Sequence, residues 1–154
     1  GPANFGSLLQ THDFDNPTDG DMFWRASDGS YGKGCCSLYD GISQEAGKNQ
    51  KRGEWARVIF SADLTASPRR LAKYVNGNLH RADLSGDGNS LDGRYGLPPF
   101  VYLFGDGDDN ERTDCYVSAI QFREGAISDE DAAEFRASAG VTESGMAGAI
   151  RISY

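Results

Sequence analysis

Apolar and polar positions alternate most clearly between Glu54 and His80. Trp55, Arg57, Ile59 and Ser61 interleave with Ala56, Val58, Phe60 and Ala62 up to Asp63, a period-2 run that predicts a half-buried strand. Leu71 to Val75 predicts a second strand. It stops at Asn76-Gly77, a dipeptide that accepts positive φ at both positions and closes a tight type I′ hairpin, with Leu79 and His80 starting the return strand. Phe5 to Gln10, Met22 to Arg25, Cys35 to Tyr39, Phe100 to Phe104 and Cys115 to Arg123 also read as strands, and Met146 to Tyr154 is a strand-like tail. Ser27 to Gly34 reads as a glycine-rich turn holding Tyr31, while 42–53 and 82–97 are polar and unpatterned, as connections are. One helix is expected over 129–136. Ser128 serves as its N-cap and Asp131 as the reciprocal partner, acidic residues sit at the positive end of the dipole, and Gly140 is a stop. These elements predict an all-β chain: an antiparallel two-sheet β-sandwich with one short helix near the C-terminus.

Two stretches carry a family likeness. The order Trp55, Arg57, Val58, Phe60, Ser61, Asp63, Leu64, followed by Leu71, Tyr74, Val75, Asn76, Gly77 and Leu79, resembles the laminin G-like (concanavalin A-like) jelly-roll domains of bacterial secreted proteins. There a Trp-initiated strand precedes a Tyr-Val-Asn-Gly hairpin. The opening Leu8-Leu9-Gln10-Thr11 with Asp19-Gly20-Asp21-Met22-Phe23, and the ending Gly125-Ala126-Ile127-Ser128 with Asp129-Glu130-Asp131-Ala132-Ala133, are similar to the same family. The likeness covers roughly residues 8 to 136. It implies a jelly roll and an extracellular or periplasmic setting. It also implies a further strand before the first one seen here; either the chain is trimmed at that point or the tail from Met146 replaces the missing edge, and something should cover that edge.

Composition narrows the class. The 154 residues, 38% of them hydrophobic and 25% charged, suit one globular domain spanning 1–154. Gly1-Pro2 reads as an expression remnant. No apolar run reaches the length of about 18 residues that a spanning helix needs, and Gly1 to Gly6 lacks the pattern of a secretion signal. The net charge of −8 argues against nucleic acid as a partner, because such binding neutralises phosphates with Lys and Arg. The charge is uneven, however. Lys48, Lys51, Arg52, Arg57, Arg69, Arg70, Lys73 and Arg81 face only Glu54 and Asp63, so this stretch carries +6 and the remainder −14. Two readings stay open there: a basic patch for an acidic ligand, or solvated loops beside the central strands.

Cys35 and Cys36 are adjacent and point to opposite faces of a strand, so at most one of them meets Cys115 easily. One disulfide and one free thiol are expected. His12 and His80 are isolated, so no zinc site is drawn from them. Calcium is a different matter. Asp106, Asp108, Asp109, Asn110 and Glu111 crowd oxygen ligands into one loop, where like charges repel unless solvated or bridged by a cation. Asp13, Asp15, Asn16, Asp19 and Asp21 form a second oxygen-rich loop with a plain turn reading beside it, and 82–97 does not fit the EF-hand pattern.

Catalytic motifs are missing from the sequence. Concanavalin A-like glycosidases usually carry E-x-D-x-x-E on one strand to place two carboxylates across a cleft. Here the nearest approach, Glu130, Asp131 and Glu134, falls in the expected helix. The expectation is therefore a non-catalytic binding module for carbohydrate, with Trp24, Tyr31, Tyr39 and Tyr95 stacking on sugar faces. The alternatives are a structural or adhesion module that docks other domains of a larger secreted protein, and, behind both, a glycosidase or lyase on the same fold.

Overall fold

The Asn76-Gly77 turn is where local chemistry dictates geometry most directly. In the computed structural model Asn76 has φ 53° and Gly77 φ 79°, both in the left-handed region that a type I′ hairpin requires. The structure describes residues 5–11, 20–25, 31–34, 55–84, 91, 95–105, 107, 114–135 and 150–152. The turn joins β5 (Arg70–Val75) to β6 (Asn78–Leu84), and β4 (Val58–Asp63) pairs with the other side of β5. Gly77→Ala is expected to lower stability by about 1–2 kcal/mol, because a Cβ is disfavoured at this φ. Urea denaturation reads it, and an unchanged midpoint would mean that the turn relaxes without cost.

Nine strands and one helix are described. Besides the meander these are β1 (Phe5–Gln10), β2 (Asp21–Arg25), β3 (Tyr31–Gly34), β7 (Tyr102–Leu103), β8 (Cys115–Val117), α1 (Asp129–Glu134) and β9 (Ile150–Ile152). Every pairing is antiparallel, so the all-β expectation with one short helix holds. The described strands form three sheets rather than two: β3-β2-β1-β7, β4-β5-β6 and the pair β8-β9.

Several boundaries differ from the pattern in the sequence, each for a visible reason. β4 begins at Val58, not Trp55, because Asn76 Oδ1 accepts from the Arg57 N–H at 2.9 Å and a side chain ends the ladder. Tyr31 starts strand β3 instead of lying in a turn, since Tyr31–Gly34 pairs with β2. β7 keeps two of the five expected residues: Pro98 and Pro99 lie just upstream, and Phe104 takes φ 60°, which turns the chain out of the sheet. The expected strand Cys115–Arg123 stops at Val117, where pairing with Ile150 ends. The helix closes at Phe135, whose N–H bonds Ala132 O, ahead of the expected end. The expected strand Cys35–Tyr39 lies outside the described residues.

Burial follows the alternation of β5. Leu71 faces one way with Phe60 and Ala62, which sit opposite Lys73 and Leu71 on β4. There they pack with Met22, Leu9, Leu64, Leu91 and Tyr95, so the four-stranded and three-stranded sheets share a cluster. Ala72 and Tyr74 face the other way. They pack with Ala132, Ile59, Leu79 and Ile127, which seats α1 on the outer face of the meander. β5 is therefore buried on both faces, and its residues from Leu71 to Val75 are all buried.

Candidate functional site

The aromatic residues expected to stack on a ligand separate into three groups. Trp24 on β2 and Tyr31 on β3 are register partners, set directly opposite each other by the antiparallel pairing that also joins Met22 to Lys33. Among the described strands β3 is the outer one of its sheet, so this pair stands at the edge of the described sheet. Tyr95 is different. It is 2% exposed and packs in the cluster with Met22, Leu71 and Leu91, so its ring has no face to offer a sugar and the stacking role expected for it is withdrawn. Tyr39 lies outside the described residues.

The acidic loop expected to hold calcium is described only at Gly107. Its N–H donates to Gln10 Oε1 at 2.9 Å, tying the loop to the end of β1, where Gln10 is 1% exposed. Asp106, Asp108, Asp109, Asn110 and Glu111 lie outside the described residues, as do Asp13, Asp15, Asn16 and Asp19. Among the described residues no group of three or more His, Cys, Asp or Glu side chains converges as a metal site would.

The cysteine expectation changes. The Cys115 thiol is free, so the disulfide expected to link it to Cys35 or Cys36 is not formed there. Burial and the neighbouring Asp114 carboxylate both push the thiol above its ordinary pKa, which keeps it protonated and a poor nucleophile at neutral pH. Cys35 and Cys36 lie outside the described residues.

The basic stretch is not a uniform patch. Lys73 is fully buried on the inner face of β5. Arg69 donates through Nη1 to Leu91 O at 3.0 Å. Arg70 holds Asp129 Oδ1 at 2.6 Å, and Tyr74 donates its hydroxyl to the same oxygen at 2.5 Å. Arg70 Nη1 completes the triangle at 3.3 Å from the Tyr74 hydroxyl. The Tyr74 hydrogen bond, followed by Arg70, holds the Asp129 carboxyl below the usual carboxylate range. Burial first, and then the bond to Asp129, raises Tyr74. This triangle fastens the first residue of α1 to β5, and Ser61 Oγ accepts from the Ile127 N–H at 2.9 Å just ahead of it. Neither link is visible in the sequence, because Asp129 and Arg70 stand 59 residues apart. In sequence, Asp129 reads as a carboxylate at a helix start and nothing more.

Arg57 does something else. Its guanidinium lies 5.8 Å from the Phe135 ring centroid, and that of Arg123 lies 5.0 Å from the same ring. Both arginines are exposed, and neither meets a carboxylate among the described residues. Compared with family models, curated proteins and solved structures, the chain finds no match in any of the three.

Proposed function

We propose that this chain is a non-catalytic carbohydrate-binding module of a secreted protein, built as a laminin G-like jelly roll and carrying calcium at Asp106, Asp108, Asp109, Asn110 and Glu111. The observation that supports it best is the Trp24–Tyr31 register pair at the outer edge of the four-stranded sheet. Register opposition brings two aromatic positions together on neighbouring strands, as a stacking platform needs, on the face of β2 that also carries the buried Met22. The cluster shared by Leu9 and Met22 with Phe60, Ala62 and Leu71 supports the sandwich reading, since it is the core that two facing sheets would bury. The motif resemblance supplies the family and the secreted setting, and binding needs none of the paired carboxylates that hydrolysis does.

The burial of Tyr95 favours the second reading, a structural or adhesion module without a sugar ligand, because it leaves fewer aromatic faces for a glycan. Affinity electrophoresis on a polysaccharide panel, with calcium and with EDTA, separates the two. Retention by at least one glycan is expected, weakened about tenfold in Trp24→Ala and in Tyr31→Ala, a loss of roughly 1.4 kcal/mol. A panel with no retention leaves the structural module standing. Reducing-end release that disappears in a carboxylate variant would make the chain an enzyme.

A further inference from the structure

The sequence from Cys115 to Arg123 alternates as a strand should, yet the ladder ends at Val117. Beyond it, residues 118–126 are all exposed, and 119–124 make no backbone hydrogen bond to any described residue. Among these, Ile120 is 50% and Phe122 48% exposed. Backbone N–H and C=O groups without a ladder partner, on a strand-patterned segment with apolar side chains, are the features of an open edge that another strand can join.

The charge beside the segment says what kind of strand. Arg123 ends the run and lies over Phe135. Its polar neighbour among the described residues is Gln121, whose amide oxygen, once the amide is turned to meet it, accepts from Nε at 3.2 Å. Arg57 approaches the same ring from β4. Two exposed guanidiniums therefore gather at Phe135 with no described carboxylate to pair them, in a chain whose net charge is −8 and which has carboxylates to spare. Arg70, by contrast, is already occupied by Asp129. A guanidinium that lacks a carboxylate is suited to take one bidentately from outside.

We propose that residues 119–123 accept an added β-strand from a protein partner, an extended acidic segment whose main chain pairs with this edge. Its carboxylates meet Arg123 and Arg57, and its apolar residues cover Ile120 and Phe122. Main-chain pairing supplies affinity, and the two arginines supply selection for acidic sequences. The proposal uses neither Trp24 nor Tyr31, so it stands or falls independently of sugar binding.

The probe is a fluorescently labelled synthetic peptide alternating Glu and Val, compared with one in which Lys replaces Glu, both titrated with the full chain by anisotropy. Saturable binding of the Glu peptide alone is expected. Arg57→Ser and Arg123→Ser should each weaken it by about tenfold, as the loss of a charge-assisted pair does. Gln121→Pro, which removes an N–H from the edge, should abolish it while the circular dichroism spectrum stays that of the parent. No binding of the Glu peptide, equal binding of the Lys peptide, or binding untouched by Gln121→Pro would each overturn the proposal. So would a dimer in sedimentation that Gln121→Pro dissolves, since a second copy of the chain would then occupy the edge.

Discussion

Leu71→Ala is expected to cost about 3 kcal/mol of folding stability, within the range of roughly 2–5 that buried leucines show. Leu71 is 0% exposed. It sits where Phe60 and Ala62 of the meander meet Leu9 and Met22 of the four-stranded sheet. The substitution removes its own transfer free energy and also opens a cavity that two hydrogen-bonded sheets cannot easily close. Leu97→Ala is the control. Leu97 is 52% exposed, and its change should stay within about 0.5 kcal/mol. Urea midpoints at constant m-value measure both, and two equal losses would show that the shared cluster does not carry the fold.

Tyr74→Phe should cost about 1.5–3 kcal/mol at neutral pH, the range for a hydrogen bond to a charged group, and should flatten the dependence of stability on pH. The ring is retained, so packing against Ala72 and Ala132 is kept and only the hydroxyl bonded to Asp129 and Arg70 is lost. Asp129 has a folded pKa below its ordinary 3.8. Its contribution is therefore full above that value and disappears as pH falls through the lowered folded pKa. Tyr74 is raised above its ordinary 10.0, so its contribution is full below 10.0 and is lost as pH rises through the raised folded value. Between these limits the triangle is intact. Because the Asp129 side chain is 58% exposed, solvent screens the ion pair with Arg70, and Arg70→Met is expected to cost less than Tyr74→Phe. Denaturation at pH 3, 7 and 11 tests the set. If Tyr74→Phe keeps the acid and alkaline losses of the parent, the triangle is not their source.

The sequence was most readable where neighbours in the chain decide the outcome. β1 falls at Phe5–Gln10 as its pattern requires. The Asn76-Gly77 turn needs only its own two backbones, and the Ser128 cap only Asp131, whose N–H lies 3.0 Å from Ser128 Oγ. Strand ends were less readable, because they depend on where the partner stops. The Cys115–Arg123 pattern is right for a strand, but β9 pairs with only three residues of it. Tyr95 misled because a tyrosine in a polar connection reads as surface, whereas Met22 and Leu71 arrive from distant strands to bury it. The same holds for the basic stretch: alternation separates Arg70 from Lys73, and α1, brought in from far along the chain, then occupies Arg70. Among the expected site residues the sequence identified Trp24 and Tyr31 as aromatics of interest, but not that they would stand opposite each other.

The meander also sets an order in time. β4, β5 and β6 follow one another directly, as do β1, β2 and β3, so each of these pairings closes a short loop, whereas Leu9 pairs with Leu103 only after most of the chain has been drawn together. Early contacts form where the entropy of closure is small. The three-stranded sheet and the β1-β2-β3 run are then expected to form first and to meet at the cluster around Leu71, with α1 docking on the other face of β5. In the Leu71→Ala protein the lost stability should therefore emerge mainly as slower refolding, with the rate of unfolding little changed.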